Sequence, residues 1–180
     1  MEWLKKLDSI EELTQGSIVD GVDWGDGDND PLSIVLSNAC DLEHDGHCSY
    51  LIVAAMYQAG DIIRASREYN GIIQGADLAD ISKRQRIQIE RLFLDYIHNR
   101  TINRYFFIDC SNIEQGLYLV VDFQRILSVK YEAKAYLTPI ANLISPLREH
   151  MMMRFVSYTA RIPIDRVSDD KGQEIIRSML

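Results

Sequence analysis

The chain lacks any apolar run near the roughly 18 residues needed to cross a bilayer. Its opening, Met1-Glu2-Trp3-Leu4-Lys5-Lys6-Leu7, has neither the long apolar stretch nor the small-residue cleavage site of a secretion signal. No membrane contact is expected, and the expected location is the cytoplasm. Cysteine is scarce and odd in number: Cys40, Cys48 and Cys110. That argues against a disulfide framework and leaves reduced thiols, buried hydrophobes or metal ligands. Positive charge is also short, with 19 Lys and Arg against 27 Asp and Glu and a net charge of −8. Residues 1–60 hold 2 basic and 12 acidic residues, while residues 61–180 hold 17 and 15. An acidic first third repels a phosphate backbone, which disfavours nucleic-acid binding by the whole surface and leaves it to one local patch. Internal repeats and low-complexity linkers are absent. What is there is globular composition, 180 residues with 47% hydrophobic and 26% charged. That suits one domain, or one domain carrying an insertion.

Periodicity divides the chain. Trp3, Leu4, Leu7, Ile10 and Leu13 recur at helical spacing, so a short helix is expected over 3–14, ended by Gly16. Ser17-Ile18-Val19 reads as a short strand. An acidic loop follows, with Asp20, Asp23, Asp26, Asp28 and Asp30 among three glycines. Ser33-Ile34-Val35-Leu36-Ser37 and Tyr50-Leu51-Ile52-Val53-Ala54-Ala55 are continuous apolar runs of strand length, expected as an antiparallel pair. Residues 60–104 switch to helix. Ser82 followed by Gln85 forms a capping-box pattern ahead of Ile87, Phe93 and Ile97. Strands return at Tyr105–Ile108, Leu117–Phe123 and Ile126–Val129. Pro139 and Pro146 flank or begin a last helix carrying Leu147, Met151, Phe155 and Tyr158. Met151-Met152-Met153 cannot all be buried on one helix face. Pro163 interrupts the pattern, and the tail from Asp165 is polar.

Four short stretches carry a resemblance. They are Gly16-Ser17-Ile18-Val19, Asp30-Pro31-Leu32-Ser33-Ile34-Val35-Leu36-Ser37-Asn38, Ile52-Val53-Ala54-Ala55-Met56-Tyr57 and Val120-Val121-Asp122-Phe123-Gln124-Arg125-Ile126-Leu127-Ser128-Val129. In that order they resemble the MazF/PemK family, the toxin barrels of toxin–antitoxin pairs, over about residues 15–58 and 116–130. The resemblance implies an α+β domain over 1–180. It would be a small SH3-like antiparallel β-barrel, with 15–58 and 105–130 as barrel, 60–104 as a helical insertion and 139–180 as a C-terminal helical segment. The family's ribonucleases rely on an arginine before the proline and a threonine after the second strand. Asp30 and Tyr57 stand at those places here. A negative charge where a positive one would stabilise a phosphorane-like transition state argues against toxin-type RNA cleavage. Ser37-Asn38-Ala39-Cys40-Asp41, with Ser145-Pro146-Leu147-Arg148-Glu149-His150, Arg154-Phe155 and Arg161-Ile162-Pro163, further resembles an uncharacterised bacterial and phage family with a Ser-x-x-Cys-Asp signature. That second resemblance implies a family and no activity.

Several constellations could carry chemistry. Cys40-x3-His44-x3-Cys48 offers three zinc ligands, with Cys110 as a fourth and His47 as an alternative to His44, because thiolate and imidazole suit that ion. The competing reading packs Cys40 as a small hydrophobe beside exposed histidines. Cys40 as nucleophile, His44 or His47 as base and Asp41 as orienter is a third reading, opposed by the nearby acids. Asp26-x-Asp28-x-Asp30 begins like a calcium loop but meets Pro31 where glycine is required. A solvated loop is expected there, with a weak divalent site or carboxylates that mimic a nucleic-acid backbone as alternatives. Lys83, Arg84, Arg86 and Arg91 make the helix start basic, with Arg100 and Arg104 beyond it, either as a solvated face or as a phosphate contact. The expectation is a non-catalytic interaction or regulatory protein with a protein partner, zinc-stabilised, in a toxin–antitoxin or phage-defence setting. The alternative is a ribonuclease-like enzyme using Cys40, His44 and Asp41 with the basic helix.

Overall fold

The computed structural model describes residues 3–27, 30–43, 48–100 and 104–160. The fold is α+β, a curled antiparallel seven-stranded half-barrel sheet with helices against it. Its strands are β1 (Leu4–Lys6), β2 (Ser17–Asp20), β3 (Leu32–Val35), β4 (Tyr50–Gln58), β5 (Tyr105–Asp109), β6 (Tyr118–Lys130) and β7 (Thr138–Leu143). The order across the sheet is β1-β7-β2-β3-β4-β6-β5. The helices are α1 (Ala39–Glu43), α2 (Ala59–Ala65), α3 (Arg67–Ile73), α4 (Lys83–Ile97) and α5 (Leu147–Thr159).

Alternation along the strands builds two apolar clusters, because successive side chains take opposite faces. On one face Ile34, Met56, Phe106, Ile108, Val121 and Phe123 meet Met151 of α5. Leu147, Met152, Phe155 and Tyr158 of α5 pack against the same cluster. Phe123 sits 5.5 Å from Phe155 and 6.3 Å from Tyr158, ring to ring. Of the three consecutive methionines, Met151 is fully buried, Met152 partly, and Met153 is exposed. On the other face Val19, Val35, Leu51 and Val53 are closed over by Leu13, Val22, Leu42 and Leu137. Each large side chain buried this way stabilises the fold by roughly 1.5–3 kcal/mol.

Three elements differ from the sequence reading. The expected helix over 3–14 is instead β1 and a 3-10 turn at Ile10–Glu12. The backbone of Leu4–Lys6 pairs with Leu143–Ala141 of β7, and a sheet edge overrides a three-residue apolar spacing. Pro139 lies within β7 and begins no helix. It sits where the β2–β7 register shifts, a place where the missing N–H is tolerated. The two strands expected at 117–123 and 126–129 are one long strand, β6, bent by a bulge. The capping box of α4 forms as read: Ser82 and Gln85 satisfy each other's backbone N–H groups. The polar tail, Pro163 and the Arg161-Ile162-Pro163 stretch lie outside the described residues.

Candidate functional site

One charge interrupts the apolar run of β6, and the site grows from it. Ala54 of β4 faces Ile126, yet the next residue, Ala55, faces Asp122. The extra residues of β6 form a bulge, which re-aims side chains. Phe123 stays in the core against α5, while Arg125 reaches Tyr57 on β4.

Two ion pairs flank this bulge. The Asp122 side chain is only 5% exposed, and Arg104 grips it with both arms, Nε to Oδ1 at 2.8 Å and Nη2 to Oδ2 at 2.5 Å. Oδ1 also accepts the Gln124 N–H at 2.9 Å, so the carboxylate holds the bulge closed. A bidentate fork of this kind is the strong form of the interaction. It raises the Arg104 pKa further, and the guanidinium lies 4.7 Å from the Tyr105 ring centre. The second pair is Arg125 with Asp26, Nη2 to Oδ2 at 2.5 Å. Arg125 Nη1 donates to Tyr57 Oη at 2.7 Å, and the guanidinium sits 5.3 Å from the Trp24 ring and 5.9 Å from that of Tyr57. Trp24 is anchored in turn, its Nε1 donating to Ser33 Oγ at 2.9 Å. Burial pushes the Tyr57 hydroxyl above its ordinary pKa; Arg125 opposes this, and Asp122 and Asp26 add to it. Tyr57 therefore stays protonated and able to donate near neutral pH. The belt is balanced, with one carboxylate for each guanidinium.

Beside the belt stands the helical insertion. α2 packs on β4 and β6, and α4 packs on β5. Ile63, Tyr69 and Tyr96 are its buried anchors, and burial pushes the Tyr96 hydroxyl up to about 12. Asn99 closes the outer edge of β5, its side-chain amide exchanging two hydrogen bonds with the Phe107 backbone. α4 nevertheless leaves Ile87, Leu94 and Ile97 at 50%, 49% and 42% exposure. Phe93 and Ile97 line both a cavity of about 520 Å³, shared with α2, Phe107 and Tyr118, and an open groove of about 510 Å³ along α4. An apolar trough thus runs along the outside of α4. Lys83, Arg84, Arg86 and Arg91 are exposed on the same helix and make no ion pair among the described residues.

The remaining residues singled out from the sequence fall elsewhere. Cys40 is exposed on α1, next to exposed Asp41. Cys48 packs against the cluster of Leu51 and Val53, and its thiol donates to the Tyr50 carbonyl at 3.0 Å. Asp41 and Cys48 line a pocket of about 430 Å³ with Ser37, Asn38 and Ile52. Cys110 is fully buried in the other cluster, beneath α5, and burial pushes its thiol up to about 12. His44, His47 and Asp28 lie outside the described residues. Among the described residues no group of three or more His, Cys, Asp and Glu side chains is placed to hold a metal ion. In the acidic loop, Asp26 turns to Arg125, and Asp30 Oδ1 accepts the Asp26 N–H at 3.0 Å.

Asp122, Arg125 and Trp24 were not among the residues read as a site, and Arg104, read as a phosphate contact beyond the basic helix, is instead engaged by Asp122. A signal for them existed: a lone aspartate inside Leu119-Val120-Val121-Asp122-Phe123 requires a buried cationic partner. No protein-family model matches the chain, and no curated protein matches it significantly.

Proposed function

We propose that this is a non-catalytic interaction or regulatory protein. In this reading a MazF/PemK-like, SH3-type barrel serves as scaffold and the helical insertion docks a protein partner, in a toxin–antitoxin or phage-defence setting. The setting and the barrel type rest on the sequence resemblance. The docking role rests on one observation, the apolar trough along α4, where large aliphatic side chains stay near half exposed although the sheet beside them buries the same residue types. The occupant we assign is an amphipathic segment of another protein with acidic residues flanking its apolar face. Four exposed cations at the start of α4 complement such a flank, and an amphipathic helix in a groove is a recurring recognition mode. The balanced belt supports the non-catalytic part, since both of its guanidiniums already face a carboxylate.

The test is affinity capture from the native host with wild-type protein and with Leu94→Gln/Ile97→Gln, followed by identification of the captured protein and direct titration. The reading expects a partner with an acidic amphipathic segment, lost in the double variant and weakened by salt and by Arg84→Gln/Arg86→Gln. A partner bound equally by the double variant overturns it. So does concentration-dependent self-association through α4, which would make a second copy the occupant. Zinc on Cys40, His44 and Cys48 belongs to the same proposal. Metal analysis of wild type against Cys40→Ser and Cys48→Ser tests it, with metal in the first and none in the variants expected.

A further inference from the structure

The two ion pairs of the belt look alike but differ in how their carboxylates are held. Asp122 comes from the sheet itself, is almost wholly buried and uses both oxygens on Arg104. Asp26 comes from a surface loop; its side chain is 41% exposed and that of Arg125 34%. Gly25 and Gly27 flank Asp26 with φ of +77° and +72°, values that favour glycine. A Cβ added at either would meet nothing within 4 Å, and residues 25–27 are exposed. Tyr57, by contrast, projects from the paired part of β4, and Arg125 from the bulge that Asp122 holds closed.

We propose that Arg125 and Tyr57, backed by Trp24, form an oxyanion site for the phosphate group of a small monophosphorylated ligand, and that Asp26 is its built-in competitor. The donors converge. The Arg125 fork presents Nη2 where Asp26 Oδ2 now sits. The Tyr57 oxygen already accepts from Arg125 Nη1, so its own proton is directed elsewhere. A guanidinium fork matches the oxygens of phosphate, and the indole and phenol planes hold it in orientation. The ligand is small because Arg125 is surrounded by residues of the acidic first third, Trp24 and Tyr57 beside it and the acidic loop of Asp26. Asp23 and Asp30 share the loop with Asp26, and a polyanion would be repelled by them. This site goes beyond the docking role and does not depend on it.

Calorimetric titration with inorganic phosphate and with a nucleoside monophosphate tests the assignment. Phosphate must break a partly exposed ion pair to enter, so Asp26→Asn should bind about 2- to 5-fold more tightly than wild type. Adding Arg125→Gln to Asp26→Asn should abolish binding, and Tyr57→Phe should weaken it several-fold. Equal affinity of wild type and Asp26→Asn overturns the competitor role. Unchanged binding in the Arg125→Gln and Tyr57→Phe variants overturns the site. Competition by acetate at concentrations equal to phosphate would reassign it to carboxylates, and tighter binding of a short single-stranded oligonucleotide would reassign it to nucleic acid. Should Arg125→Gln unfold, Tyr57→Phe and Asp26→Asn decide the matter between them.

Discussion

The sheet with α5 and the helical insertion use the same kinds of residue in opposite ways. In the first region Ile34, Met56, Val121, Phe123 and Met151 are hidden, and both faces of the sheet are covered over much of its area. In the second, α4 buries only Tyr96 and turns Ile87, Leu94 and Ile97 outward. Where apolar side chains meet one another, they hold the fold. Where they meet water along one face of a helix, they are held for something else. The polar belt lies between these regions and is fixed to the first of them through Asp122.

The largest effects should come from the sheet. Phe123→Ala removes a fully buried ring that touches α5, so urea unfolding should show a loss of about 3–5 kcal/mol. A loss under about 1 kcal/mol would erase the contrast between the regions. Arg104→Ala leaves the Asp122 carboxylate buried without its partner and should cost about 3 kcal/mol. That is the low end for such pairs, because water reaches Arg104. Arg104→Lys should recover only part, since an ammonium cannot match the fork.

A smaller effect concerns Cys110 and pH. Burial raises its thiol from 9.0 to about 12, so the folded state favours the neutral form. Its contribution is therefore intact below pH 9 and is lost as pH rises toward 12. Between pH 8 and pH 10 wild type should lose more unfolding free energy than Cys110→Ala, by about 1.4 kcal/mol per unit above 9, the loss left in the variant coming from the buried tyrosines. Thiol labelling sharpens the same point: exposed Cys40 should react in the native protein, and Cys110 only after unfolding. The smallest effect belongs to the insertion, where Ile87→Gln should change stability by less than about 0.5 kcal/mol.

The strands at Ile18, Ile34, Leu51, Tyr105 and Leu117 were legible because each is an apolar run of strand length, and α4 because its capping box is local. β1 and β7 were not. Their pairing depends on a neighbour distant in sequence, and Pro139 disguised the second. The bulge in β6 was hidden too, since two apolar stretches flanking Gln124 and Arg125 read equally well as two strands. The belt therefore escaped the sequence, although Asp122 marked its centre. Residue spacing grouped Cys40 and Cys48 with Cys110, but alternation along the strands decides which face a side chain joins. It carries Cys110, after Phe106 and Ile108, into the cluster that α5 packs against, while Cys48, in the loop before β4, packs with Leu51 and Val53.

Urea unfolding of Leu94→Gln/Ile97→Gln beside the wild type puts the division of labour between the two regions at risk most directly. Glutamine keeps helix propensity while removing the apolar stripe. The account predicts midpoints that agree to within about 1 kcal/mol of stability. A loss of about 3 kcal/mol or more, the size expected of core truncation, would mean that α4 holds the fold together and presents nothing to a partner.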